Sequence, residues 1–294
     1  MSQFNGKTVL ISGGAEGIGF GIAQAMGQQG MNVVLGDIDD AQLALAAQKL
    51  EDLNIPVLTV NMDVSKQEQW QNLADKAIER FGKVHMLVNN AGVGGTPGTI
   101  EDTDDKDWRW VLDVNLMGVV YGAQTVIPLI KQHGEGGWMI NVASMAGMSG
   151  VPYAGAYNAT KLAVAGLSEG WSIELAPHNI QVSVLCPAFC RTRIHHSLRN
   201  KQEQYKNEVK SEGKRGGSPM AAHMDKVISE GLDPDTVGQR VLEAVVAKEL
   251  YIFTHPNYRS VTQARFKAID SAFQRAGESD LLADIKNQEI VNFS

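Results

Sequence analysis

Apolar residues in this chain come in short consecutive runs: Val9 to Ser12, Val33 to Gly36, Val57 to Val60, Met86 to Asn89, Met139 to Val142, Val182 to Leu185 and Tyr251 to Thr254. A strand that is apolar at consecutive positions, rather than at every second one, is buried on both faces, as in a parallel sheet covered by helices on each side. The stretches between the runs carry the helical period instead. After Asp233-Pro234, a good capping and first-turn pair, Val237, Val241, Leu242 and Val245 fall on one face. A second such helix follows the last run and carries Tyr258, Val261, Ala264, Phe266, Ile269 and Phe273. Strand and helix alternating in this way predict an α/β, doubly wound parallel sheet of about seven strands.

The alternation breaks between His195 and Gly231. That stretch is polar, holds Lys201, Lys206, Lys210, Lys214 and Arg215, and is punctuated by Gly213, Gly216, Gly217 and Pro219. We expect a partly mobile insertion there (about 195–231) and a C-terminal extension (about 255–294) on a single domain covering residues 1–294. The length agrees: 294 residues, of which 44% are apolar, fill one large core more readily than two. A formal charge of −7 argues against a surface built for nucleic-acid phosphate or an anionic membrane, which both require clustered Lys and Arg. No stretch approaches the ~20 uninterrupted apolar residues of a membrane span, and Met1 to Lys7 shows no basic-then-apolar leader. The expectation is a cytoplasmic protein with a small soluble partner. Cys186 and Cys190 stand without the second pair or the histidines of a zinc site, so neither a metal nor a disulfide is expected.

The first strand runs into Ser12-Gly13-Gly14-Ala15-Glu16-Gly17-Ile18-Gly19 and then into a helical pattern from Phe20 to Gln29. Glycines at such a junction permit the tight turn, bring backbone close to a pyrophosphate and let helix pack on strand. The helix N-terminus then offers free N–H groups and a partial positive charge to phosphate. This predicts a Rossmann-type, dinucleotide-binding sheet. Asp37 ends the second strand, about 18 residues past the last glycine, where a carboxylate accepts hydrogen bonds from a ribose diol. The same charge repels a 2′-phosphate, and no Arg or Lys stands at 14–18 or 36–40, so NAD is expected ahead of NADP. A turn residue helping to cap the helix near Asp39 is the plainer alternative for Asp37.

At the other end, Ser144 lies just past the fifth strand, and Tyr157 and Lys161 share a helix face at i and i+4. A nearby ammonium and an oxidised nicotinamide favour phenolate, the tuning that alcohol oxidation needs. Taken alone, a Tyr/Lys pair at this spacing also describes a solvated surface. Position favours the first reading, because Ser144, Asn89-Asn90-Ala91-Gly92 and Pro187 all sit at strand carboxyl ends, where open α/β sheets bind ligands. Asn115 falls inside an apolar helical pattern, where its amide is unfavourable unless something compensates. A helix kink or an interior hydrogen bond would do so.

Together these residues resemble the short-chain dehydrogenase/reductase family over about Gly6 to Thr254. The family's glycine motif matches Ser12 to Gly19, including Gly13, Gly17, Ile18 and Gly19, with Ser where Thr is commoner; the hydroxyl is retained. Its adenine-contacting Asp matches Asp63, followed by Val64, and its Asn-Asn-Ala-Gly motif matches Asn89 to Gly92. Its catalytic tetrad matches Asn115, Ser144, Tyr157 and Lys161. The resemblance implies that Lys161 also binds the nicotinamide ribose and that Asn115 holds a water in a proton relay. The family's Pro-Gly turn becomes Pro187-Ala188 here, with Thr192 at the position that contacts the carboxamide. The layout after Thr192 is similar to a subgroup acting on bulky aryl and alicyclic secondary alcohols. Met145, Met148, Val151, Tyr153, Phe189, His195 and His196 suit an apolar substrate pocket or ordinary packing equally. Relatives pair long helices across two-fold axes, which implies a homodimer or homotetramer built on Asp105 to Gln132 and Ala156 to Pro177.

The expected function is hydride transfer between NAD(H) and a medium-sized, largely apolar secondary alcohol or ketone. A catalytically silent NAD(H)-binding sensor is a second reading, whose mark would be loss of Tyr157 or Lys161; both are present. An epimerase or dehydratase of sugar nucleotides is a third, and its larger C-terminal substrate region is missing here.

Overall fold

The computed structural model describes residues 2–206 and 219–291, so Lys210, Gly213, Lys214, Arg215, Gly216 and Gly217 of the expected insertion lie outside the described residues. The chain divides into two compact units, Met1–Thr254 and His255–Ser294.

In the first unit β1 (Thr8–Ser12), α1 (Gly17–Gln28), β2 (Asn32–Asp37), α2 (Asp40–Asp52), β3 (Val57–Asn61), α3 (Gln67–Phe81) and β4 (Met86–Asn89) form one half of the fold. Then come α4 (Asp105–Leu112), α5 (Gly118–His133), β5 (Gly137–Val142), α6 (Gly155–Leu175) and β6 (Ile180–Cys186). Helices α7 (Pro219–Ser229) and α8 (Pro234–Val246) lead to β7 (Tyr251–Phe253). The second unit contains α9 (Arg259–Gly277), where the apolar period after the last strand places a helix.

The seven strands pair in the order β3-β2-β1-β4-β5-β6-β7, and every pair is parallel. The direction of winding reverses between β1 and β4, which opens a crevice outside their carboxyl ends. The five inner strands are buried on both faces, as their runs of apolar residues require, whereas the edge strands β3 and β7 are only partly covered. On one side Val9, Ile11, Val33 and Leu35 meet Ile22, Met26, Leu50 and Val241 of α1, α2 and α8. On the other, Leu10, Val34 and Met139 meet Trp70, Leu73, Trp110 and Val126 of α3, α4 and α5. Strands β5 and β6 each begin two residues earlier than the apolar runs suggest, at Gly137 and Ile180. Trp138 and Gln181 are only partly buried there, which blurs the pattern.

The expected continuous helix from Asp105 is interrupted by a wide π turn over Asp113–Met117, closed by the Gly118 N–H on the Asp113 carbonyl. The run Asp105–His133 is long and apolar enough to cross a membrane by composition. Val119, Val126 and Ile130 are instead buried in the core beside the sheet, so it is read as a core helix.

A polar seam crosses this interior. The Asn89 amide donates to Asn141 Oδ1 at 2.8 Å, Asn141 Nδ2 donates to Ser168 Oγ at 3.0 Å, and the Ser168 hydroxyl donates to the Val164 carbonyl at 2.7 Å. Trp70, fully buried like Trp110, packs against Gly122 of α5 and donates its indole N–H to the Val64 carbonyl at 3.0 Å. Trp70→Ala removes both packing and donor, and urea unfolding should show a loss of about 3–5 kcal/mol with an unchanged denaturant slope.

Candidate active site

The crevice is shaped where β1 turns into α1. Gly17 has φ +56°, in the left-handed region that favours glycine. A Cβ on Gly19 would come within 2.3 Å of the Gly13 carbonyl oxygen, so only glycine lets the first turn of α1 sit this close to the strand end. The Ser12 hydroxyl accepts the N–H groups of Asn90 at 3.1 Å and Ala91 at 3.2 Å. The Asn90 amide in turn donates to the carbonyls of Ser12 at 2.9 Å and Gly13 at 2.7 Å. Gly13 and the loop Asn90-Ala91-Gly92 are therefore bound into one unit across the reversal of strand order.

Asp37, at the end of β2, accepts the Ala15 N–H on one oxygen and the Asp39 N–H on the other, both at 3.1 Å. Burial pushes its carboxyl above the ordinary range, and these two N–H bonds pull it back. Asp39 caps α2 by accepting the Gln42 N–H, and Asp37 supports that cap by accepting the Asp39 N–H, so the plainer turn-and-cap reading of Asp37 stands beside its tie to the glycine turn. Asp63, just past β3, accepts both the N–H and the hydroxyl of Ser65 on Oδ1, at 2.9 and 2.7 Å, and the Gln202 amide on Oδ2 at 2.9 Å. Its neighbour Val64 is buried.

Beyond the crevice, Ser144 follows β5 and opens a short 3-10 turn over Met145–Gly147, with its Oγ accepting the Ala146 N–H at 3.1 Å. Its hydroxyl lies beside the Tyr157 phenol and favours the phenolate form. Lys161, one turn further along α6, is buried and donates to the Val142 carbonyl at 2.8 Å, with Nζ 5.6 Å from the centre of the Tyr157 ring. The phenol and ammonium thus share a face, as their spacing requires. In the chain alone, burial pushes the Tyr157 phenol above its ordinary value, and the neighbouring Ser144 hydroxyl only partly offsets this. Burial lowers Lys161 to about 8, because its ammonium is held by a carbonyl dipole rather than by a carboxylate.

Asn115 sits at the centre of the π turn, fully buried. Its Oδ1 accepts the Val93 N–H at 2.8 Å and its Nδ2 donates to the Val93 carbonyl at 2.9 Å. Both the kink and the interior hydrogen bond are present, and they tie the helix bend to the loop after β4. Thr192 approaches the glycine turn: a Cβ on Gly17 would lie 3.1 Å from its methyl group. Pro187 is buried at the end of β6, its carbonyl 3.5 Å from the Ser144 hydroxyl.

Of the residues suited to a pocket, Met145 and Met148 are buried beside Ser144, whereas Val151, Tyr153 and Phe189 are exposed. The rings of His195 and His196 lie 3.9 Å apart. Cys186 and Cys190 are free buried thiols, each pushed up to about 12 by desolvation, and so chemically inert near neutral pH.

Sequence reasoning missed three features. Ser12 ties two loops together, and only its retained hydroxyl hints at that. Arg193 and Arg199 pair with Glu16 of the glycine turn across more than 170 residues of chain. His85, His133 and Glu135 gather ligand-type atoms within 4.8 Å. That cluster is satisfied from within: His85 Nδ1 accepts the Thr8 N–H, and His133 donates to the Val84 carbonyl and accepts the Glu135 N–H.

A phenol coupled to a hydroxyl, at the open end of a dinucleotide crevice, can exchange a proton with an oxygen on a substrate carbon, and this pairing defines an oxidoreductase acting on CH–OH groups. The chain belongs to the short-chain dehydrogenase family, whose model matches residues 7–203. It is 34% identical over 275 residues to a CLA biosynthesis dehydrogenase/reductase of Lactiplantibacillus plantarum, covering 92% of this chain and 95% of that one. It is 40% identical over 187 residues to a 3-alpha-(or 20-beta)-hydroxysteroid dehydrogenase of Mycobacterium bovis, covering 64% and 70%. The crystal structure of a short chain dehydrogenase/reductase from Burkholderia phymatum, in complex with NAD, superposes with a TM-score of 0.87 at 35% identity, covering 92% of this chain and 97% of that one.

Ser12→Ala would leave the Asn90 and Ala91 N–H groups without their acceptor. We expect a loss of about 1–3 kcal/mol in unfolding free energy that Ser12→Thr restores, measured by paired urea titrations.

Proposed function

We propose that the protein is an NAD-preferring dehydrogenase/reductase that interconverts a medium-sized, largely apolar secondary alcohol and its ketone. The observation that carries this reading is the grouping of Ser144 beside the Tyr157 phenol, with buried Lys161 on the same helix face and Asn115 tied in behind. The residues present fit a dinucleotide. The glycine turn excludes every side chain that would block backbone approach, and Asp37 keeps a carboxylate at the rim beside the first turn of α1.

When bound, the nicotinamide supplies the hydride acceptor or donor. The chain's own part is to hold the substrate oxygen and to move a proton. Ser144 orients that oxygen by a hydrogen bond, and Tyr157 takes the hydroxyl proton in oxidation or returns it in reduction. Its phenol lies above the ordinary range, so phenolate depends on the positive charge of Lys161 and of the oxidised coenzyme together. Lys161, near 8, is poised to hold the ribose hydroxyls and to pass the proton on, with Asn115 anchoring a water in that relay. Gly13, Gly17, Ile18 and Gly19 would line the pyrophosphate, Asp63 and Val64 the adenine, and Asn90, Ala91, Gly92, Pro187 and Thr192 the nicotinamide half.

Asp37 supports NAD over NADP by charge. The substrate class is supported by apolar Met145 and Met148 beside Ser144 and by the likeness to a hydroxysteroid dehydrogenase. The same reading makes the protein cytoplasmic and a homodimer or homotetramer assembled through α4, α5 and α6, where Leu162 and Ile173 are exposed.

The direct test is absorbance at 340 nm with NAD or NADP and a panel of alicyclic, aryl and steroid alcohols. NADH formation is expected; silence despite calorimetric NAD binding would favour the sensor. Tyr157→Phe should keep NAD affinity and lower kcat by about 10²–10⁴-fold, and undiminished turnover would remove Tyr157 from the mechanism. Asp37→Ala should weaken NAD binding while leaving NADP equal or tighter, since it deletes a diol acceptor and a repulsive charge at once. Equal losses for both coenzymes would contradict the assignment of Asp37.

A further inference from the structure

The polar segment after β6 lies across the coenzyme side of the sheet. Residues 193–205 are fixed to side chains that follow three different strands. Arg193 and Arg199 pair with Glu16 after β1. Gln202 donates to Asp63 after β3 at 2.9 Å, and Ser197 accepts the Gly94 N–H after β4 at 3.1 Å. Lys201 pairs with Asp107 of α4 at 2.9 Å and lies 5.2 Å from the Trp110 ring centre, while the Tyr205 hydroxyl donates to Asp113 of the π turn at 2.7 Å. The Lys201–Asp107 pair is well buried, with side-chain exposures of 13% and 5%, so it is a firmer anchor than a surface ion pair. Residues 199–203 and Ile38, Asp39 and Asp40 line an open depression of about 430 Å³ just past Asp37.

These anchors stand at the carboxyl ends of β1, β3 and β4, where an open α/β sheet receives its dinucleotide. Asp63 is the decisive one. Its Oδ1 is taken by Ser65, and the Gln202 amide holds Oδ2. A carboxamide presents an N–H donor beside an acceptor, the same pair that the amino edge of adenine presents. In Gln202 only the donor is satisfied: Oε1 is buried and has no hydrogen-bond partner. An adenine at Asp63 would replace that half-satisfied contact, and the strap would have to leave first.

We propose that residues 193–205 are an internal competitor for the adenosine half of the crevice, with Gln202 standing in for adenine at Asp63. The proposal rests on the NAD reading above. Coenzyme binding then requires the strap to be displaced, and the observed affinity is lowered by the fraction of molecules in which it is closed. The strap follows directly on Thr192, which lies against Gly17 of the glycine turn, so its displacement links arrival of the coenzyme to rearrangement at that turn.

Calorimetric titration of the full chain and of Gln202→Ala with NAD, AMP and nicotinamide mononucleotide tests this, together with hydrogen exchange of residues 193–205 with and without NAD. Lys201→Gln, which loosens the strap at a different anchor, provides a second variant. We expect both variants to bind NAD and AMP about 3–10-fold more tightly and the mononucleotide unchanged, with NAD lowering protection of the strap in the wild-type chain. Unchanged or weaker AMP binding in both variants overturns the proposal. So does a rise in strap protection with NAD, which would mean that the segment closes over the coenzyme. If the wild-type chain binds no NAD at all, the coenzyme reading itself fails, and this proposal with it.

Discussion

The joint between the glycine turn and the loop after β4 is the constraint on which the site depends. A parallel sheet whose winding reverses must leave a gap between its two halves, and here that gap is spanned by one hydroxyl and one carboxamide. The Ser12 Oγ accepts two N–H groups from the facing loop, and the Asn90 side chain returns two donors to the carbonyls of Ser12 and Gly13. Without this reciprocal bonding the backbone groups at the strand ends would be left unpaired in a partly buried place. The floor of the crevice is hydrogen-bonded to both of its walls.

The catalytic end shows a different economy. Lys161 is buried with only a carbonyl to hold its charge, which lowers its proton affinity, and the same burial raises that of Tyr157. Each group resists its charged form alone, and each charged form favours the other. A positive charge bound nearby would favour the phenolate form of Tyr157. The π turn at Asn115 contributes by bending the helix so that one amide meets both backbone groups of Val93. A regular helix would not present them.

Much of this was legible in the chain. Consecutive apolar runs gave each strand its place, because burial on both faces leaves no polar alternation to confuse with helix. The motifs were readable because their spacing is local: Tyr157 and Lys161 lie one helical turn apart, and Gly13 to Gly19 is a single loop. What was hidden depends on distance along the chain. The pairing of Glu16 with Arg193 and Arg199, and of Asp63 with Gln202, joins segments with no shared pattern. The depth of the Tyr157 phenol was hidden too, because i,i+4 spacing shows which side chains neighbour each other, not how deeply they are buried. The π turn leaves no trace in periodicity, since its one extra residue is absorbed within the apolar stripe.

The polar seam through the sheet has a consequence for folding fidelity. Strands that are apolar at every position offer little resistance to sliding past one another, because a slip exchanges one valine or isoleucine contact for another. Asn89 and Asn141 stand directly opposite in the β4–β5 register, and Ser168 waits on the covering helix. Any slip would strand two carboxamides in hydrocarbon, so this pair works as an index mark that gives an otherwise featureless interior a single alignment.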